Sequence, residues 1–185
     1  MSLPHAILGF LREQPLTGYE LKTQRFDVSV ANFWPADQAQ IYRTLDRLEE
    51  QGWATSELEI QRERPNRKVY RITEAGRAEL LRWLAAPQPL PTHREPFLVQ
   101  LYFAAELPDE TILSLLEGQV AAHEAQLRAY EEVPLPLPPL DGAGAGRARA
   151  LARLTLELGL RSERMYLDWL RDAIGHARRL PEEDG

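Results

Sequence analysis

Three prolines in five residues, Pro87-Gln88-Pro89-Leu90-Pro91, divide this chain in two. Proline has a fixed φ and no amide donor, so neither a helix nor a central strand crosses the stretch, and an extended connection is expected. The 185 residues are therefore read as a first domain over 1–86, a proline-rich linker over 87–95, a second domain over 96–179 and a tail over 180–185. A second loop runs from Pro134-Leu135-Pro136-Leu137-Pro138-Pro139 into Asp141-Gly142-Ala143-Gly144-Ala145-Gly146. It follows no strand and lacks the Walker lysine, so it reads as a linker and not as a phosphate-binding loop.

Composition narrows the chemistry. The chain has no cysteine, which excludes a disulfide framework, thiolate-ligated zinc, iron–sulfur clusters and a thiol nucleophile. No serine sits in a nucleophile elbow. His5, His93, His123 and His176 are not at metal-ligand spacing, so no metal, no cofactor and no enzymatic activity are expected. His123 falls within an apolar helical stripe and reads as a hydrogen-bonded interface residue. No apolar run is long enough to span a bilayer. Ala6-Ile7-Leu8-Gly9-Phe10-Leu11 is followed at once by Arg12 and Glu13 and lacks a basic leader. It reads as structure, and a cytoplasmic protein with no membrane partner is expected.

The net charge is −6, a poor prior for nucleic-acid binding. The excess acid lies entirely in residues 91–185, however: residues 1–90 carry 12 Lys/Arg and 12 Asp/Glu. Within that neutral half, a helix is predicted over residues 4–13. A second starts at Gly18, with Thr17 and Glu20 as a capping box. A third covers residues 37–51 and ends at Gly52, a C-terminal cap. Trp53 to Ile60 and Lys68 to Thr73 read as two strands around a polar turn. Thr73 then caps a helix reaching about Ala86. This order predicts a mainly α fold with a small β-hairpin: an N-terminal winged helix-turn-helix, whose third helix enters the major groove of DNA while the hairpin reaches the backbone.

At about 100° per residue, Ile41, Leu45 and Leu48 form one stripe of the third helix and must face the core. Gln38, Ala39, Gln40, Tyr42, Arg43 and Arg47 fall outside that stripe. The exposed N-terminal positions are small, amide or cationic, and the C-terminal ones, Asp46 and Glu50, are acidic. Gln40 offers bidentate pairing to adenine and Arg43 a contact to base edges. Tyr42 either packs on the domain or bonds a phosphate. Tyr19 offers a phosphate contact from the second helix, with burial as the competing reading. Five cations and one acid between Ile60 and Ile72 make Arg62, Arg64, Arg67 and Lys68 candidate phosphate contacts, whose affinity should fall steeply with salt. Phe33 and Trp34 read as core.

In the second half, helices are predicted over residues 97–106, 109–132 and 147–179. The last has two apolar faces. Leu151, Leu154, Leu158, Met165 and Trp169 form one, and Leu156, Leu160, Leu167, Leu170 and Ile174 the other. A helix apolar on two sides must be covered on two sides; a second copy of the same helix is expected to cover the first face by an isologous contact, with packing against the chain's own winged helix as the competing reading. The half is thus read as an antiparallel helical dimerisation domain.

Ala6-Ile7-Leu8-Gly9-Phe10-Leu11, Thr17-Gly18-Tyr19-Glu20-Leu21, Phe33-Trp34-Pro35, Gln40-Ile41-Tyr42-Arg43-Thr44-Leu45-Asp46-Arg47-Leu48-Glu49, Gly52-Trp53 and Arg67-Lys68-Val69-Tyr70-Arg71-Ile72-Thr73-Glu74-Ala75-Gly76 resemble, in order and spacing, the PadR-like family of bacterial transcriptional regulators. Pro96-Phe97-Leu98-Val99-Gln100-Leu101-Tyr102-Phe103 and Leu156-Glu157-Leu158-Gly159-Leu160-Arg161 resemble the helical, virulence-activator-type C-terminal domain of its two-domain members. The resemblance implies a homodimeric repressor on a pseudo-palindromic double-stranded operator, near its own or a neighbouring promoter. It also implies release by a small aromatic effector, as in some members; Trp83, Tyr102, Met165, Tyr166 and Trp169 are candidate stacking surfaces, with packing as the competing reading. Many members carry proline where this chain has Arg43. The alternative left open is a winged helix used for protein–protein contact without specific DNA binding.

Overall fold

The computed structural model describes residues 2–30, 33–60, 66–92, 94–133 and 145–179. It divides into two compact units, Met1–Leu90 and Pro91–Gly185.

The first unit opens with α1 (Leu3–Glu13), with Pro4 in its first turn, where a missing amide costs nothing. Its buried residues Ile7, Leu8 and Leu11 line one face. Next comes a two-residue strand, β1 (Leu16–Thr17), and then α2 (Gly18–Glu20). The expected capping box is present: the Thr17 hydroxyl accepts from the Glu20 amide at 3.1 Å, and the Glu20 carboxylate accepts from the Thr17 amide at 2.8 Å. Beyond Glu20 the helix continues as a π-helix over Leu21–Val30, a form that α-helical spacing does not signal. At about 100° per residue, Phe26 would point roughly 140° away from Leu21. The wider π turns bring residues five apart onto one side, so that Leu21 and Phe26 are both buried and Val30 packs against the same core.

The third helix, α3 (Gln38–Glu50), is capped by Asp37 and ends before Gly52, whose φ of 70° is the left-handed conformation that glycine tolerates best. Then follow β2 (Ala54–Glu59), β3 (Arg67–Ile72) and α4 (Glu74–Ala85). Thr73 caps α4 through the Gly76 amide at 3.0 Å and donates its hydroxyl to the Gly52 carbonyl at 2.7 Å, tying the start of α4 to the end of α3. The expected hairpin is part of a three-stranded antiparallel sheet of order β1-β3-β2, in which Leu16 faces Tyr70 and Thr17 faces Val69. Two residues are too short for a periodic signal, so the sequence does not reveal β1. One core joins α1, α3 and the sheet through Ile7, Leu8, Leu16, Leu21, Phe26, Ile41, Leu45, Leu48 and Tyr70.

The second unit comprises α5 (Pro96–Tyr102), a 3₁₀ turn at Ala104–Glu106, α6 (Asp109–Glu131) and α7 (Ala145–Ala177). The glycine-rich loop falls mostly outside the described residues, and Ala145 and Gly146 open α7. Asp109 and Glu110 occupy the first turn of α6, where the helix dipole favours acids. The helices α6 and α7 run antiparallel, as their contacts show. Arg178 faces Glu117 at 3.9 Å, His123 bonds Glu163 at 2.6 Å, and Arg164 reaches Glu131 at 3.3 Å. Tyr130 lies over Gly159, where a Cβ would stand 2.9 Å from its ring. The histidine is the hydrogen-bonded interface residue expected, with its ring stacked on Tyr166. The core is small: Phe97, Ala104, Ile112, Leu116, Leu170 and Ala177.

Candidate nucleic-acid interface

The amphipathic pattern of α3 dictates its orientation. Ile41, Leu45 and Leu48 are fully buried. Thr44 joins them because its hydroxyl is satisfied by the Gln40 carbonyl at 2.7 Å, so a polar residue costs little there. Gln38, Ala39, Gln40, Tyr42, Arg43 and Arg47 are all exposed. The N-terminal end of the helix therefore presents small, amide and guanidinium groups to the outside.

Two of these side chains have work inside the protein. The Asp37 carboxylate accepts from the Gln40 amide at 2.7 Å, while Gln40 Oε1 accepts from the Asp37 amide at 3.3 Å. This capping box draws on one of the two Oε1 lone pairs, so bidentate adenine pairing by Gln40 competes with its cap bond to Asp37. Tyr42 packs against α2, where a Cβ on Gly18 would stand 2.6 Å from its ring. Packing is thus its structural role, and glycine is required for the close crossing of the two helices. The burial reading of Tyr19 is overturned, since it is 61% exposed.

Beside α3 lies a hollow of about 790 Å³, bounded by Ser2, Leu3 and Pro4 of the α1 end, by Trp34 and Pro35, and by Gln40, Arg43, Thr44 and Arg47. Among the described residues Arg43 has no carboxylate partner, and Arg47 makes only a 3.4 Å hydrogen bond to Thr44. Two unneutralised guanidinium groups on a concave, open surface suit an anionic polymer. Phe33 and Trp34 are corrected from core to surface, at 56% and 38% exposure. The chain turns outward there, with both amides bonding the Val30 carbonyl. Trp34 also walls an apolar hollow of about 430 Å³ with Phe10, Phe33, Leu80 and Trp83, in which His5 stacks on Trp83 at 4.6 Å and bonds Glu79 at 2.9 Å.

The wing departs most from expectation. Arg62 and Arg64 lie outside the described residues. Arg67 bonds Glu59 at 2.6 Å and faces Glu20 at 3.6 Å. Lys68 bonds Glu49 at 2.6 Å, and Arg71 faces Glu57 at 3.8 Å. The register that places Glu59 opposite Arg67 brings the β2 carboxylates beside the β3 cations. The local excess of positive charge counted along the sequence is corrected accordingly: at the base of the wing each described cation meets an acid. Lys68 has its pKa raised chiefly by the Glu49 hydrogen bond. Burial pushes Glu49 upward, but hydrogen bonds from Lys68 and Ser56 outweigh it, and its pKa is lowered.

On α7, Leu151, Leu154, Leu158 and Met165 are exposed, while Leu167 and Leu170 are buried against the unit's own helices. Trp169 is corrected: it packs against the unit's own core, edge-on to Phe97 at a centroid distance of 6.4 Å. Among the described residues no group of three His, Asp or Glu could hold a metal ion, and no helix is long and apolar enough to cross a membrane. Sequence reasoning missed Thr44 and Glu49. Thr44 sits three residues from Ile41 and one from Leu45, a spacing that could have revealed it. Glu49 has no comparable signal, because its partners lie on other elements.

Residues 7–82 match the transcriptional regulator PadR-like family, and residues 93–176 match the virulence activator alpha C-terminal family. A probable transcriptional regulator of Mycobacterium tuberculosis is 52% identical over 87 residues, spanning 47% of this chain and 46% of that protein. The negative transcriptional regulator PadR of Bacillus subtilis is 30% identical over 93% of this chain and 95% of its own. Its crystal structure with operator DNA superposes at a TM-score of 0.81 (29% identity, 96% of this chain and 99% of that one). Its structure with p-coumaric acid gives 0.71 (27% identity, 95% of each). The Vibrio cholerae virulence activator AphA gives 0.74 (28% identity, 97% of this chain and 100% of that one).

Proposed function

The chain belongs to the PadR-like family of transcriptional regulators, and from that premise we propose that it is a homodimeric repressor that occupies a two-fold-symmetric operator. The observation that carries this reading is the outer face of α3. Arg43 and Arg47 stand beside an open hollow with no carboxylate partner among the described residues, on a helix whose opposite stripe is wholly buried. Ala39, Gln40 and Arg43 approach base edges in the major groove, and Arg47, Tyr19, Arg62 and Arg64 hold phosphates and set register. The exposed leucine face of α7 pairs with that of a second copy, which spaces two α3 helices for two half-sites. The operator-bound state of the similar B. subtilis protein supports the DNA reading. We assign the protein no catalytic role and place it in the cytoplasm, as its family suggests.

A small phenolic acid is the proposed effector. The p-coumaric acid complex of B. subtilis PadR supports this, as does the aromatic-walled hollow beside α1, whose size lies within the usual range for small ligands. The test is equilibrium binding of the purified protein to the DNA upstream of its own gene, across a salt series, with random duplex as competitor. Tight, salt-steep preference for one sequence supports the reading. Absence of any DNA binding at low salt would overturn it in favour of a protein-contact module. Adding p-coumarate should weaken operator binding; an unchanged affinity would remove this effector class.

A further inference from the structure

Glu49 sits in the last turn of α3, where the helix dipole disfavours an acid and where a carboxylate near DNA would repel phosphate. Its placement is nonetheless built. Glu49 Oε1 accepts from the Ser56 hydroxyl of β2 at 2.6 Å, and Glu49 Oε2 accepts from Lys68 Nζ of β3 at 2.6 Å. Ser56 pairs with Tyr70 in the sheet register. The Lys68 ammonium lies 5.0 Å from the centroid of the Tyr70 ring, and Tyr70 is itself a buried core residue. One carboxylate thus binds both strands of the wing to the helix that reads bases, and its lysine partner is anchored over the core.

We propose that Glu49 and Lys68 are positioning residues for operator recognition: their ion pair sets the wing at a fixed distance and angle from α3, and Lys68 is not a phosphate contact. The inference rests on the DNA-binding reading above and deepens it. A rigid wing matters because specificity needs the helix and the wing to engage bases and backbone together, in one register. Sequence-independent binding needs only charge. The two kinds of DNA should therefore respond differently when the pair is broken, the operator losing affinity that random duplex keeps.

The experiment uses the full chain as its natural assembly. An operator duplex is first selected from a random-sequence pool by the wild-type protein. Operator and random duplex are then titrated across a salt series with wild type, Glu49→Gln, Lys68→Met and the exchanged pair Glu49→Lys/Lys68→Glu. For Glu49→Gln, operator affinity should fall about tenfold while random-duplex affinity holds or rises, because a freed Lys68 adds a cation whose phosphate contact steepens the salt slope by about 0.9. For Lys68→Met, operator affinity should fall with the salt slope unchanged. The exchanged pair should recover most of the operator preference. Random-duplex binding reports that each variant is folded. If Lys68→Met flattens the slope by about one unit, or Glu49→Gln tightens both DNAs alike, Lys68 is a phosphate contact and the proposal fails. If selection with the wild type yields no preferred sequence, the DNA-binding reading itself fails instead.

Discussion

Arg43 is the one guanidinium at the N-terminal half of α3, and among the described residues it faces no carboxylate. Replacing it with Ala should cost about 1–3 kcal/mol on the operator and little on random duplex, as expected of a side chain that reads a base edge; equal losses on both DNAs, in a competition titration, would make it a phosphate contact. Gly76 is governed by space. A Cβ there would stand 2.1 Å from the Trp53 carbonyl oxygen, so Gly76→Ala must displace backbone and should lower unfolding stability by about 1–3 kcal/mol in a urea melt. Glu79 is governed by charge. Hydrogen bonds from Arg82, and then from His5, lower its carboxyl to about 2. A carboxyl depressed below its unfolded value contributes stability above the unfolded pKa of about 4.3 and loses it as pH falls toward about 2. The melting temperatures of wild type and Glu79→Gln should therefore differ at neutral pH and converge across that window. Side-chain exposure of Glu79 is only 11%, but Arg82 is 69% exposed, and solvent screening keeps the effect modest.

At the scale of elements, the wing and α3 were legible to different degrees. The core stripe of α3 follows from spacing alone, and so do its exposed positions, because a helix has one period and one buried side. Charge on a strand does not work that way. Arg67, Lys68 and Arg71 look free along the chain, yet the antiparallel register sets Glu59 against Arg67, and Glu57 and Glu49 meet Arg71 and Lys68. A wing substitution should accordingly act by position. Arg67→Ala is expected to change the salt dependence of DNA binding by well under one unit, since its charge is already shared with Glu59 and Glu20. Arg62→Ala with Arg64→Ala should flatten it by about one unit per lost contact. Measuring log K against log salt for the two variants checks both.

At the scale of the whole molecule, the proposed dimer would connect the exposed leucines of α7 to operator recognition. Leu154 and Leu158 are 60% and 68% exposed in a single chain, so arginine at either position disturbs nothing in the unit's own core. Leu154→Arg/Leu158→Arg should yield folded monomers by sedimentation at micromolar concentration, with operator affinity reduced toward that for random duplex, because one half-site carries little of the specific energy. A variant that remains dimeric would remove this face from the interface.

The sequence by itself determined the order of elements, the capping boxes and turns between them, the buried stripe of α3 and the two-faced character of α7. All of these are set by residues within one or two turns of each other, where backbone preferences and periodicity act. Only the tertiary structure decided that Leu16 and Thr17 add a strand, that Leu21–Val30 widens into a π-helix and that Tyr42 rests on Gly18. It also decided that Trp169 turns to its own core, that Phe33 and Trp34 stand outside it, and that the cations at the base of the wing are matched by acids. Each of those outcomes depends on which side chain a distant segment brings within about 3–4 Å, and no local pattern encodes that distance.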